Sequence, residues 1–274
     1  MTNVFFHIGL YKTATTWFQR QLFPSLDGVQ VVRTKFMDKI APHLNASPPS
    51  VNGPETLIIS HESLSGSISH RRPPGTARAR LVDNLGLIAN LAPQRSIIVG
   101  FREHRAWLQS AYFQRAKKNF RVDQADYVKV FSLDDLSWCR TLETIEASCP
   151  SVFPFLYEEL VQSPEVLIND LCRFIGKAPP ANLDELLHVQ ENPTPRSKAG
   201  QLASTAMLKL ARHSGRKRLK PHAYRLGVWL DGYFPRRPFA LESDLAQVLR
   251  QDWNELLARI GERRGHDFSS LRKT

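Results

Sequence analysis

The feature that most constrains this chain is an apolar run that stops at a glycine and gives way to a lysine set among threonines. Val4-Phe5-Phe6-His7-Ile8 reads as a buried first strand, ended by Gly9. After it come Leu10-Tyr11-Lys12-Thr13-Ala14-Thr15-Thr16-Trp17 and a helical pattern. A strand that turns into a helix through such a loop aims unpaired backbone N–H groups at whatever sits there, and the helix dipole adds attraction for a phosphate. Lys12 supplies a charge, and the hydroxyls of Thr13, Thr15 and Thr16 supply further donors. A threonine-rich helix cap is the plain alternative, but it has no use for the lysine. The loop is not a Walker A motif. That motif needs G-x-x-x-x-G-K-[ST], whereas Lys12 lies three residues after Gly9 and Ala14 stands where a second glycine would be expected. A magnesium-dependent kinase is disfavoured on that ground.

Further strands are expected at Val29 to Val32, Thr56 to Ser60, Ser96 to Phe101 and Ser151 to Tyr157. Pro154 marks the last of these as an edge strand. Helices are expected from about Ala14 to Phe23, stopped by Pro24, and at Arg78 to Leu91 and His104 to Lys118. Two more are expected at Glu165 to Ile175, with Gly176 as its cap, and at Ser243 to Ile260. The last carries Leu245, Val248, Leu249, Trp253, Leu256, Leu257 and Ile260 at helical spacing. Residues 46–54, 71–75 and 191–195 read as loops. Strands alternating with helices imply an α/β fold: a P-loop-like three-layer sandwich, with a mostly parallel central sheet and helices on both faces. We read 1–274 as one domain, with a nucleotide-binding core at 1–200 and a basic helical part at 201–274 packing on it. Ligands of such sheets bind beyond the carboxyl ends of the strands, which singles out the residues after Ile8, Ile59 and Phe101.

The charge is uneven. The chain of 274 residues has a formal net charge of +11, and residues 201–274 hold 15 Lys/Arg against 7 Asp/Glu, so +8 of it lies there. Arg216-Lys217-Arg218 with Lys220, and Arg236-Arg237, are the densest points. Such a surface attracts a nucleotide, an acidic saccharide, nucleic acid or an anionic membrane, or is simply a solvated face. Nucleic acid is not expected as a partner, since no known recognition module accompanies the basic run. No apolar run approaches the roughly 20 residues needed to cross a bilayer. Met1-Thr2-Asn3-Val4-Phe5-Phe6-His7 lacks the basic flank, apolar stretch and small-residue cleavage site of a secretory signal. Cys139, Cys149 and Cys172 are odd in number and lack metal-ligand spacing, so reduced thiols and no metal are expected. A cytoplasmic location is expected, with peripheral contact at the inner membrane left open.

His7-Ile8-Gly9-Leu10-Tyr11-Lys12-Thr13-Ala14-Thr15-Thr16 resembles the 5′-phosphosulfate loop of the sulfotransferase family, usually Lys-[Thr/Ser]-Gly-Thr-Thr, with Ala14 in place of glycine. A Cβ there opposes a positive φ, so some reshaping of the loop is expected. Ile97-Ile98-Val99-Gly100-Phe101-Arg102, then Trp107 to Tyr112 with Ser110, is similar to the family's 3′-phosphate motif. There an arginine ends a strand and a serine eight residues on lies on the next helix. The usual proline two after the arginine is His104 here, which leaves the helix start less fixed. Phe155-Leu156-Tyr157-Glu158-Glu159-Leu160 resembles the family's Tyr-Glu-[Asp/Glu]-Leu segment, and by that likeness Tyr157 packs near the adenine. Arg196-Ser197-Lys198-Ala199-Gly200 has a weaker likeness to the late loop that closes on the 3′-phosphate.

The resemblance, strongest to bacterial and carbohydrate-directed members, implies transfer of a sulfuryl group from 3′-phosphoadenylyl sulfate (PAPS). The acceptor is a hydroxyl or amine, and 3′,5′-adenosine bisphosphate (PAP) is left. Lys12 would steady the leaving phosphate, and the backbone of 13–16 would hold it. Ser60-His61-Glu62-Ser63-Leu64 would supply the base, Glu62 first and His61 second, alternation in an extended segment turning only one of them to the cleft. The Ser-x-Glu-x-Leu pattern points to a saccharide or glycolipid acceptor, with a small alcohol, amine or phenol still open. The rival readings are a P-loop nucleotide-binding module or kinase, a basic nucleic-acid-binding protein, and a relative that binds nucleotide without turnover.

Overall fold

The computed structural model describes residues 3–10, 12–34, 55–65, 76–116, 124–189 and 239–273, with 203, 206, 207 and 226. Strand β1 (Asn3–Gly9) is followed by a helical stretch, α1, built of three segments: Thr15–Trp17, a wide π turn Phe18–Leu22, and Phe23–Ser25. Then come β2 (Val29–Val32), β3 (Thr56–Ser60), a 3₁₀ turn Glu62–Ser65, α2 (Thr76–Leu91), β4 (Arg95–Phe101) and α3 (His104–Ala116). After these lie α4 (Gln124–Val128), α5 (Leu133–Leu136), α6 (Trp138–Ser148) and β5 (Ser151–Leu156). The chain continues through α7 (Tyr157–Gln162), α8 (Pro164–Ile175), α9 (Leu183–Leu187), α10 (Ser243–Arg264) and a 3₁₀ turn Ser269–Lys273.

The five strands form one sheet in the order β2-β3-β1-β4-β5, and every pairing is parallel. The expected fold class stands. Phe5, Ile58, Ile98, Phe153 and Phe155 point to one face, where Trp17, Phe18, Leu22 and Phe23 of α1 and Leu167, Ile168, Leu171 and Ile175 of α8 cover them. Phe6, Ile8, Ile59, Ile97 and Val99 alternate with that set and are fully buried as well. Burial on both faces is what near-continuous apolar runs in a parallel sheet require. Gly100 is needed in β4 because a Cβ there would run into the Phe155 ring. Pro154 lies in β5 at the edge of the sheet, as expected.

Three sequence expectations are corrected. Pro24 does not stop the first helix, which continues to Ser25. The π turn before it, in which Phe23 N–H reaches the Phe18 carbonyl, absorbs the irregularity a proline forces on a helix. Tyr157 is not the end of a strand but the first residue of α7. The last helix runs to Arg264, and Val248, counted with its apolar stripe, is 47% exposed.

The chain divides into two compact units: 1–104 with 130–189 and 244–274, and 105–129 with 190–243. The first contains the sheet. In the second, the Tyr112 ring lies 5.6 Å from Tyr127 and 5.9 Å from Phe239, and Arg105 Nε donates to the Phe239 carbonyl at 3.0 Å. The basic residues Arg216, Lys217, Arg218, Lys220, Arg236 and Arg237, with the expected loops at 46–54, 71–75 and 191–195, lie outside the described residues. No helix among the described residues is long and apolar enough to cross a membrane. Cys139, Cys149 and Cys172 are buried free thiols, and burial pushes Cys139 up to about 12 and Cys172 up to about 11.

His104 fixes the start of α3 rather than loosening it. Its fully buried ring stacks on Trp138 at 5.0 Å. Its Nε2 meets the Leu136 carbonyl at 2.9 Å and Asp252 Oδ2 at 3.2 Å. Asp252 in turn accepts from Ser137 Oγ and Trp138 N, so one carboxylate joins α10 to the starts of α3 and α6. Proline would suit the first position of α3 by backbone alone. His104→Pro should nonetheless lower stability by roughly 2–4 kcal/mol, because a buried ring and its hydrogen bonds go with it. The midpoint of urea unfolding measures this, and an unchanged midpoint would refute the anchoring role.

Candidate active site

Because β1 lies between β3 and β4 and all run parallel, Gly9, Ser60 and Phe101 end at one edge of the sheet. Each is followed by a segment carrying polar groups; the second is bonded to β1 and the third to the first.

The first is the loop into α1. Gly9 must lack a side chain, since a Cβ would overlap the Thr15 hydroxyl as the chain doubles back. Two residues of the loop are left-handed without being glycine: Lys12 at φ 70° and Ala14 at φ 61°. Each such position costs roughly 1–2 kcal/mol. Ala14 thus holds a left-handed conformation that a glycine adopts without strain. Local bonds hold it there. The Leu10 carbonyl accepts from Thr13 N at 3.3 Å and Thr13 Oγ1 at 2.6 Å. The Ala14 carbonyl accepts from Trp17 N at 2.8 Å and Phe18 N at 3.1 Å. Thr15 is 2% exposed, and its Oγ1 has no hydrogen-bond partner among the described residues. A buried hydroxyl beside a helix start, with a lysine alongside, fits an anionic ligand. Thr16 is partly buried on the same turn, and Tyr11 lies outside the described residues.

The second segment is the turn after β3. His61 N donates to the His7 carbonyl at 3.3 Å, and Ser65 Oγ donates to the Gly9 carbonyl at 3.1 Å, which stitches the turn to β1. The segment is not extended beyond His61, so alternation does not decide which residue faces the cleft. Hydrogen bonding separates them instead. His61 Nδ1 accepts from Ser63 N at 2.9 Å, which commits that nitrogen to shaping the turn. Glu62 interacts with the Lys12 charge. Burial pushes the Glu62 carboxyl above the ordinary range while Lys12 pulls it back. Burial also lowers the Lys12 ammonium; Glu62 opposes that shift and Arg102 adds to it.

The third segment carries Arg102. Its carbonyl accepts from Trp138 Nε1 at 2.9 Å, and its Nη1 donates to the Lys12 carbonyl at 3.2 Å. Its guanidinium lies 4.2 Å from the centroid of the Tyr157 ring. Tyr157 is thus the platform on which the Arg102 guanidinium rests. Lys12, Glu62, Arg102 and Tyr157 are brought together. Ser110 lies on α3 in the second unit, and Arg196 lies outside the described residues.

Sequence reasoning passed over Glu158, although it stood inside the Tyr-Glu-Glu segment. Its Oε1 accepts from Glu103 N at 3.1 Å. Burial raises its carboxyl to about 7, against the pull of the Glu103 N–H and the Arg102 charge. Glu159 beside it accepts from Leu156 N at 2.9 Å and pairs with buried Arg264 at 2.7 Å. His7 was passed over as well. Gln19 Nε2 donates to Ser60 Oγ at 3.1 Å, and the Ser60 hydroxyl lies 2.7 Å from His7 Nδ1. The ring packs among Phe18, Phe23 and Phe155, and burial takes it down to about 3. It is a neutral core histidine, not a base.

No protein-family model matches the chain, and no curated protein matches it. Solved structures do. A sulfotransferase from Alicyclobacillus acidocaldarius superposes with a TM-score of 0.50 at 12% identity, over 99% of each chain. The sulfotransferase domain of the Synechococcus PCC 7002 olefin synthase gives 0.44 at 14% identity, over 92% of this chain and 94% of that one. Mouse sulfotransferase SULT7A1 complexed with PAP gives 0.42 at 14% identity, over 99% and 87%. The chain therefore has the fold of a sulfotransferase, an α/β protein built on a parallel five-stranded sheet.

Two measurements check this geometry. Ala14→Gly should raise stability by up to about 1 kcal/mol, the relief of left-handed strain exceeding the added entropy of the unfolded chain. A fall in the thermal midpoint would contradict the strained conformation. Glu158 binds its proton more tightly folded than unfolded, so its contribution to stability is present below about pH 4.5 and is lost as the pH rises to about 7. Glu158→Gln should flatten that decline in urea titrations run across the interval, and an unaltered slope would show the carboxyl to be ordinary.

Proposed function

We propose that the chain is a sulfotransferase that takes its sulfuryl group from PAPS and gives it to a hydroxyl or amine, leaving PAP. The observation that carries this reading is a partly buried lysine on a left-handed loop, in charge interaction with a partly buried glutamate that follows the neighbouring strand. The likeness of residues 7–16 and 97–110 to the two phosphate motifs of the family, and the shared fold, support it.

In this reading the N–H groups of 14–16 and the hydroxyls of Thr15 and Thr16 serve the 5′-phosphate, while Thr13, expected among them, shapes the loop instead, because its N–H and its hydroxyl both donate to the Leu10 carbonyl. Arg102 grips the 3′-phosphate from above Tyr157. Ser110 and Arg196 join it on sequence likeness alone. Glu62 accepts the proton of the acceptor hydroxyl as its oxygen bonds to sulfur. Lys12 steadies the phosphate oxygen as its bond to sulfur breaks, and the proton ends on Glu62. His61 is the weaker candidate for the base because its Nδ1 is already engaged with Ser63 N. Positioning and fixed charge supply the catalysis, without a step that needs a metal. The Ser-x-Glu-x-Leu pattern supports a saccharide or glycolipid acceptor, and the basic residues beyond 201 would suit an anionic one, lipid-linked acceptors at a membrane surface included.

Transfer of radiolabelled sulfuryl from PAPS to a panel of glycans, glycolipids and small alcohols tests the activity directly. Glu62→Gln should cut turnover by about 10²–10⁴-fold while PAP still binds. Glu62 acts only when ionised, and its carboxyl is raised, so kcat/KM should climb with pH through a limb above the ordinary carboxylate range. That limb should vanish in Glu62→Gln. Absence of transfer to every acceptor class, or a limb unmoved by the substitution, would overturn the assignment.

A further inference from the structure

Lys12 and Ala14 are both strained, but they are restrained differently. The Ala14 carbonyl is bonded by the first amides of α1, and Thr13 is bonded to Leu10, so both restraints are internal to the loop and its helix. The Lys12 carbonyl is bonded by Arg102 Nη1 at 3.2 Å, from the end of β4 ninety residues away. Arg102 itself is pinned at both ends, its carbonyl by the Trp138 indole and its guanidinium by the face of Tyr157. A planar guanidinium held on an aromatic face loses little freedom when it donates, which makes it a stiff brace. The bond aligns the peptide that connects left-handed Lys12 to Thr13, whose own N–H donates to the Leu10 carbonyl, and so sets the course of the chain into the amides of 14–16.

We propose that Arg102 is a positioning residue for the 5′-phosphate loop in addition to any contact it makes with a 3′-phosphate, so that one side chain couples the two halves of the nucleotide site. This rests on the sulfotransferase reading for the identity of the ligand, but the brace itself is a property of the chain alone. The consequence concerns a nucleotide with no 3′-phosphate. If Arg102 only grips that group, Arg102→Ala weakens PAP and leaves adenosine 5′-monophosphate unaffected. A brace makes both weaken, since the loop must be ordered again on binding.

The experiment compares wild type, Arg102→Ala, Arg102→Lys and Tyr157→Leu by calorimetric titration with PAP and with adenosine 5′-monophosphate, and by amide hydrogen exchange without ligand. Arg102→Ala should bind the monophosphate about tenfold more weakly, the worth of one hydrogen bond from a charged donor. Exchange at residues 13–16 should quicken in Arg102→Ala and, to a lesser degree, in Tyr157→Leu, while core amides of β1 stay protected. Arg102→Lys keeps the charge without the fork, so a loss shared by Arg102→Ala and Arg102→Lys separates the brace from simple attraction of the phosphate. Monophosphate affinity and loop exchange both unchanged in Arg102→Ala would overturn the proposal and leave the sulfotransferase reading intact. Failure of wild type to bind either nucleotide would sink that reading instead, and the exchange rates would still decide the brace.

Discussion

The close approach of Thr15 to Gly9 is the constraint on which the rest of the site depends. The chain leaves β1, folds back within six residues and sets a helix start against its own strand end, with no room for a side chain at Gly9. Such a reversal demands left-handed residues, and the chain places Lys12 and Ala14 there rather than glycines. Their strain is offset by bonds on all sides: Leu10 for Thr13, the first amides of α1 for Ala14, and Arg102 for Lys12. Backbone strain is stored where surrounding structure over-determines it, and this loop is enclosed by β1, the turn after β3 and the end of β4.

The same enclosure sets the electrostatics. Lys12 and Glu62 are each taken partly out of water, which by itself would discharge both. Their mutual attraction works against this, so each keeps the other charged in proportion to how dry the cleft is. Arg102 pushes the other way on Lys12. An arriving anion would screen those two cations from one another and take over part of Glu62's role as the lysine's partner. In the proposed reaction that would free the carboxylate to accept a proton, a balance suited to a base that must be ionised before it acts and neutral after.

Much of the frame was legible from the residues. The apolar runs at 4–8, 56–60 and 96–101 marked three strands and, by the rule for parallel sheets, the edge on which they end. The positions of Lys12, Glu62 and Arg102 followed from being just beyond those ends. What could not be read was any contact between segments far apart in sequence. Nothing in His104 announces a stack on Trp138 and a bond to Asp252, so a missing proline looked like a weakness. Nor could the seating of the Arg102 guanidinium on the Tyr157 ring be read, since the two lie fifty-five residues apart. Alternation failed at His61 and Glu62 because the strand gives way to a 3₁₀ turn, and periodicity carries no signal for a turn of four residues. The short helices α4 and α5 were missed for the same reason: too few turns to show an apolar stripe.

The region behind Tyr157 shows how the far end of the chain bears on the site. Glu159 caps the Leu156 amide where β5 becomes α7, and its carboxylate is paired with Arg264 at the end of α10. Arg264 also reaches Asp170 of α8, to which His266 is bonded at 2.5 Å. Arg264 and Glu159 are each only 5% exposed at the side chain, so neither charge can be left alone without a large desolvation cost. The start of α7, and with it the Tyr157 ring under Arg102, is thereby tied to residues 264–266. A truncation that removed Arg264 would touch no residue assigned to a phosphate, yet it would strand a buried carboxylate beside the platform on which Arg102 rests. The last helix is in this sense part of the support of the site, and its basic residues are not merely a charged surface.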